Sequence, residues 1–122
     1  MTLTVTSLAS GSSGNAILVR YRAQALLVDC GLSQRALERA LAHAGLGPAD
    51  LQALVLTHEH GDHAGCAAAF ARRHSLTVAA NRGTLAALAA DTAGVSCREL
   101  PTGTQQTIGP FAIRSFSLPH DA

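Results

Sequence analysis

The chain has no lysine and no tryptophan, a single tyrosine and three phenylalanines. Aromatics make up 3% of its 122 residues while hydrophobic residues make up 48%. A core must therefore be assembled mostly from alanine, leucine and valine, and a disordered class is excluded. Charge is scarce as well: nine arginines face eight acidic residues, for a formal net charge of +1. That excludes a strong field able to gather nucleic acid or an anionic membrane, so any polyanion contact has to be local. The three cysteines, Cys30, Cys66 and Cys97, form no C-x-x-C pair. This gives no support to zinc held by paired thiolates and reads as reduced thiols in a cytoplasmic protein. Cys66 and Cys97 are expected as small core residues, with Cys30 packed behind a strand. No apolar run reaches about 18 residues, so no membrane span is expected. The opening "MTLTVTSLAS" lacks a basic start followed by an apolar run, and reads as a strand, not a signal peptide.

What is present is alternation. Apolar and polar residues alternate from Thr2 to Leu8, and the runs "AILVRY" from Ala16 and "ALLVD" from Ala25 to Asp29 flank the short polar "RAQ". Three strands in the first thirty residues predict a sheet. After Ser33, a candidate cap, Leu37, Leu41 and Ala44 share one helical face until Gly45, Gly47 and Pro48 end it. "LQALVLT" then reads as a buried strand delivering His58, and "HAGCAAAFARRH" as a helix. "LTVAAN", "VSCREL", "QQTI" and "FAIRSFSL" read as strands, with a short helix over "RGTLAALAAD" and a turn at Gly109-Pro110. Strands alternating with helices predict an α/β layered sheet with mixed pairing in one domain. His43 and His74 fall near helix C-termini, where the dipole accounts for them, and Arg72-Arg73 read as a solvated helix end ahead of the alternative, part of a substrate groove.

The densest chemistry lies in "LTHEHGDHAG", Leu56 to Gly65, where three histidines and two carboxylates occupy His58 to His63. Imidazole and carboxylate are ordinary ligands for zinc and similar divalent ions. His58 and His60, two apart on an extended segment, point the same way. Gly61 lets the chain turn, so that Asp62 and His63 can serve a second ion. The bland alternative, solvated residues with Asp62 capping the next helix, suits a lone histidine better than this cluster.

Thr57-His58-Glu59-His60-Gly61-Asp62-His63 resembles the signature of the metallo-β-lactamase-fold hydrolases. "LLVDCG", ending at Asp29-Cys30-Gly31, resembles their upstream strand and its supporting aspartate, and "SLPHDA" places His120 where a further ligand is expected. With "LASGSSGNA" from Leu8 to Ala16, the likeness is to the YycJ/WalJ-type branch. It implies an αββα sandwich of which this chain supplies about one half, residues 1–122 being the N-terminal part of a single, apparently truncated domain. It also implies two divalent ions, Zn2+ or Mn2+, with His58, His60 and His120 on one and Asp62 and His63 on the other. Asp62 and His120 are carried over as catalytic residues, and Asp29 as support behind the metal loop.

Two such ions about 3.5–4 Å apart can share a water, lower its pKa and stabilise both oxygens of a scissile ester, so that hydroxide is the nucleophile. The implied activity is phosphodiester cleavage, 5′-3′ exonuclease-like on DNA. The same ions could instead serve a thioester or lactam, and a truncated domain could be an inactive metal-binding module. Ser12, Ser13 and Asn15 read either as a tight loop or as a cleft lining that contacts phosphate. The family's later bridging Asp and final His have no counterpart here, which predicts an apolar sheet face left bare and a partner chain or missing C-terminal half to complete the site.

Overall fold

The computed structural model describes residues 2–11, 14–58 and 64–116. Strands β1 (Thr4–Ala9), β2 (Ala16–Tyr21) and β3 (Gln24–Val28) form an antiparallel meander. Helix α1 (Gln34–His43) then carries the chain to β4 (Leu51–Val55), which pairs parallel with β3. Helix α2 (Ala67–His74), β5 (Val78–Ala80), helix α3 (Arg82–Ala87) and β6 (Cys97–Glu99) extend the parallel part, giving a six-stranded sheet in the order β1-β2-β3-β4-β5-β6. A hairpin of β7 (Gln105–Ile108) and β8 (Phe111–Arg114) stands apart as a second, two-stranded sheet.

The helices begin and end where local chemistry dictates. The Ser33 hydroxyl accepts from the Ala36 amide at the start of α1, as a cap residue should. Gly45, at φ +77, lets the chain leave the helix in a left-handed turn. Asn81, expected at the end of a strand, instead accepts from the Thr84 amide at 2.8 Å and caps α3. Its short amide competes for a helix terminus better than for a ladder position, so β5 stops one residue earlier.

Period-two alternation sorts the strands onto two faces. Ala16, Leu18, Ala25, Leu27, Leu54 and Val78 join Leu37 and Leu41 of α1 and Phe70 of α2 in the larger core. On the opposite face Leu26, Ala53, Val55 and Ala79 meet Leu100, Ile108 and Phe111. The expectation of a bare inner face is thus corrected in part: the β7–β8 hairpin lies over it. Gly109 makes that approach possible. Its φ of +56 suits the first central position of a two-residue hairpin turn, and a Cβ there would sit 3.0 Å from Gln52 Oε1. Toward the β1 edge the face is uncovered, with Val5 67% and Ile17 38% exposed.

Cys97 also differs from expectation. It is exposed, because β6 is the edge strand and contributes little to either core, whereas Cys30 and Cys66 are buried. Arg72 does more than end a solvated helix, since its guanidinium donates to the carbonyls of Asp91 and Ala93 and ties α2 to the segment after α3. The ion pair between Arg73 and Glu38 spans 3.7 Å at the surface and adds little. His74 packs against Phe70 with ring centroids 4.5 Å apart and the ring planes tilted by 55°.

Phe70 is fully buried in a core otherwise made of small aliphatic groups. Phe70→Ala is expected to cost about 3–5 kcal/mol in denaturant-induced unfolding. Val5→Thr, on the uncovered face, should change stability by no more than about 0.5 kcal/mol.

Candidate metal centre

Parallel strands leave their carboxyl ends together, and that is where ligand sites form in open α/β sheets. Here β3 and β4 run side by side with Val28 opposite Val55. Asp29 and Thr57 follow on adjacent strand ends. Asp29 departs from the strand expected of it, adopting φ +65, a left-handed conformation that a short polar side chain tolerates better than most. Its amide still donates to Val55 O at 2.7 Å, so the kink is anchored to β4.

That kink sets the Asp29 carboxylate, only 6% exposed, against Thr57. The Thr57 amide donates to Oδ1 at 2.8 Å, and its hydroxyl lies 2.9 Å from Oδ1 and 2.7 Å from Oδ2. The same hydroxyl is 2.9 Å from His58 Nδ1. A hydroxyl has one proton, and a carboxylate can only accept it. Thr57 Oγ1 therefore donates to Asp29 and accepts from Nδ1–H of His58. The tautomer follows: the neutral ring is protonated on Nδ1, and its lone pair lies on Nε2. In metal sites a carboxylate commonly fixes the imidazole from behind; here Asp29 holds the His58 ring in that way, with a threonine hydroxyl between.

Asp29-Cys30-Gly31 reaches two other loops through one contact per residue, the β4–α2 connection at both of its ends and the β1–β2 connection. Asp29 holds Thr57. Cys30 accepts at its carbonyl from the Cys66 amide at 3.1 Å, and Gly31 donates to Asn15 O at 2.9 Å. Gly14 approaches so closely that a Cβ would lie 2.9 Å from Gly31 O. Any side chain at position 14 would push the two loops apart. The Asn15 side chain bonds Gly11 in both directions, Nδ2 to Gly11 O at 2.9 Å and Gly11 N to Oδ1 at 3.3 Å, bracing the loop that links β1 to β2.

Of the residues expected at the site from sequence, the structure brings together Asp29 and His58 and sets Asn15 in the loop behind Gly31. His60, Asp62, His63, His120, Ser12 and Ser13 lie outside the described residues. Among the described residues no three His, Cys, Asp or Glu side chains gather as an ion-binding group. The sequence reading missed Thr57 as the link between Asp29 and His58. It also missed Gly14 as the close-packed glycine of the loop. A hydroxyl flanked by a histidine and facing a strand-end aspartate was the available signal for the first.

The chain is 36% identical over 122 residues to Exodeoxyribonuclease WalJ of Streptococcus pneumoniae, a match covering 94% of this chain and 45% of that protein. It is also 36% identical over 118 residues to Exodeoxyribonuclease YycJ of Bacillus anthracis, with the same coverage. The chain thus spans about half the length of the curated relatives it matches. Its fold superposes on BJP-1, a subclass B3 metallo-beta-lactamase of Bradyrhizobium japonicum, with a TM-score of 0.76 at 16% identity, over 94% of this chain and 49% of that one. The profile of the metallo-beta-lactamase superfamily matches residues 9–110. With the mixed sheet, the loops gathered at its carboxyl edge and the Asp29-Thr57-His58 relay all in place, the chain belongs to the metallo-beta-lactamase superfamily.

Proposed function

We propose that this chain forms the ion-holding part of a phosphodiester hydrolase that degrades DNA from a 5′ end. The observation that carries the reading is the relay from Asp29 through Thr57 to His58. A strand-end imidazole whose Nδ1 proton is engaged from behind is oriented to offer Nε2 to a cation. The donor chemistry fits a divalent ion, with zinc and manganese both compatible. His58, His60 and His120 would hold one ion, and Asp62 and His63 a second. Asp62 and His120 would also face the reacting centre. When bound, such ions act as Lewis acids that activate water and neutralise charge building on a phosphate.

The chain's own residues prepare the site. Asp29 keeps the hydroxyl of Thr57 turned toward itself, and so holds the Nδ1 proton in place. The close-packed Gly14–Gly31 contact holds Gly14 and Asn15 beside this strand end, and Ser12, Ser13 and Asn15 could present hydroxyls and amides to phosphate oxygens. Two relatives named exodeoxyribonucleases support DNA as the substrate class. Among the described residues no helix is long and apolar enough to cross a membrane. A second half of the domain, from the same chain or a partner, would complete the ligand set and the substrate groove.

Calorimetric titration with Zn2+ should show binding that His58→Ala abolishes or weakens by at least about tenfold, and that Asp29→Ala weakens about 10–100-fold. Unchanged affinity in both variants would remove the relay from the site. Asp29→Ala is also expected to cost about 1–3 kcal/mol in unfolding free energy without added metal, because the buried end of the clasp loses its acceptor. Parallel assays of the full-length protein on 5′-phosphorylated DNA, a glutathione thioester and a cephalosporin should show loss of DNA alone. Intact DNA beside a hydrolysed thioester or lactam would assign the same centre to another substrate.

A further inference from the structure

Beside the relay, on the side facing α2, two thiols meet in the core. Cys30 Sγ and Cys66 Sγ lie 2.8 Å apart, and both cysteines are unbridged. The Cys66 amide donates to Cys30 O at 3.1 Å. With standard bond lengths that single hydrogen bond keeps the two Cα atoms within about 7 Å, near the span a disulfide bridges. The sulfurs need to close by only about 0.75 Å to reach bonding distance, near 2.05 Å. We propose that Cys30 and Cys66 are a reversible thiol–disulfide pair, oxidised by hydrogen peroxide or a peroxide of similar size, which staples the Asp29-Cys30-Gly31 hub to the start of α2.

The two thiols are not equivalent. Cys30 is fully buried, whereas Cys66 retains 9% exposure, so the small oxidant meets Cys66 first. The hydrogen bond between the sulfurs acts in opposite directions on the pair. It pushes the Cys30 thiol up, burial adding to the effect, and lowers Cys66 against the opposing pull of its own burial. Cys66 also stands at the N-cap of α2, where the helix terminus favours a thiolate.

The chemistry balances without a further reactant. Cys66 sulfur attacks the peroxide, the O–O bond breaks, and Cys66 sulfenic acid and one water result. Cys30 sulfur then attacks Cys66 sulfur, the S–O bond breaks, and the departing hydroxide takes the Cys30 thiol proton to leave as a second water. Two thiol hydrogens and two electrons have passed from the sulfur pair to the peroxide. A dithiol reductant reverses the product by thiol exchange. The geometry holds whether or not the neighbouring centre carries metal, so the proposal stands independently of the hydrolase reading.

The test uses the protein carrying Cys97→Ser, which removes the exposed thiol and with it intermolecular bridging. After brief hydrogen peroxide treatment, denaturation in N-ethylmaleimide and digestion, mass spectrometry should find one cross-linked species joining the Cys30 and Cys66 peptides, two hydrogens lighter than their sum. Dithiothreitol should release both peptides. Before digestion, the oxidised protein should stay monomeric and melt on the order of 10 °C higher than the reduced one, since the bridge links positions 36 apart. Recovery of both cysteines as maleimide adducts would overturn the proposal. So would Cys66 sulfinic acid beside an unmodified Cys30. Since oxidised and reduced forms of one folded protein are compared, the result does not depend on a core substitution being tolerated.

Discussion

The structure depends on how the carboxyl end of β3 is fastened to its neighbours. Asp29, Cys30 and Gly31 leave the sheet in a left-handed kink at Asp29, and each residue secures a different point: the start of the β4–α2 connection, its end, and the β1–β2 connection. None of these bonds is strong alone, at about 1 kcal/mol for a neutral pair and somewhat more for the carboxylate contacts. Their value lies in convergence. Three loops far apart in sequence share one anchor, and the anchor rests on a sheet whose larger core is packed by α1 and α2.

Orientation of the first histidine follows from that anchor by counting protons. One hydroxyl cannot donate to both Asp29 and His58, so the carboxylate, which only accepts, decides which ring nitrogen is protonated. A serine at position 57 would keep the hydroxyl without threonine's χ1 stiffness, and so hold the proton less firmly. The relay thus links a backbone conformation at Asp29 to the electronic state of a ring two bonds of hydrogen away, without any long-range electrostatic field. That suits a chain of nearly neutral net charge.

Much of this was legible in the sequence because periodicity reports burial. The strand "AILVRY" and the hairpin strand "QQTI" fall where alternation puts them, and Ser33 caps α1 as its side chain demands. The histidine run after a hydrophobic strand pointed to the family, which the superfamily profile and the YycJ and WalJ relatives bear out. Legibility failed where a polar side chain had two local uses. Alternation places Asn81 and Asp29 at strand ends, yet one caps a helix and the other takes positive φ to reach across to Thr57. Coverage of the inner face by β7 and β8 was equally hidden, since a hairpin's own alternation does not say which sheet it lies against. The same holds for the thiols. Cys30 and Cys66 are 36 positions apart, and only the fold makes them neighbours, while Cys97 sits on an edge strand with no core to enter.

The uneven covering of the inner face has a colloidal consequence. Leu3 and Val5 lie exposed before and within β1, which among the described residues is an edge strand paired on one side only, and Phe116 protrudes beyond the hairpin with 71% exposure. Greasy surface beside an open strand edge is the ordinary template for sticking between molecules. Solutions of this chain will therefore be governed by concentration and salt as much as by folding free energy, with weak electrostatic repulsion at neutral pH offering little resistance to clustering.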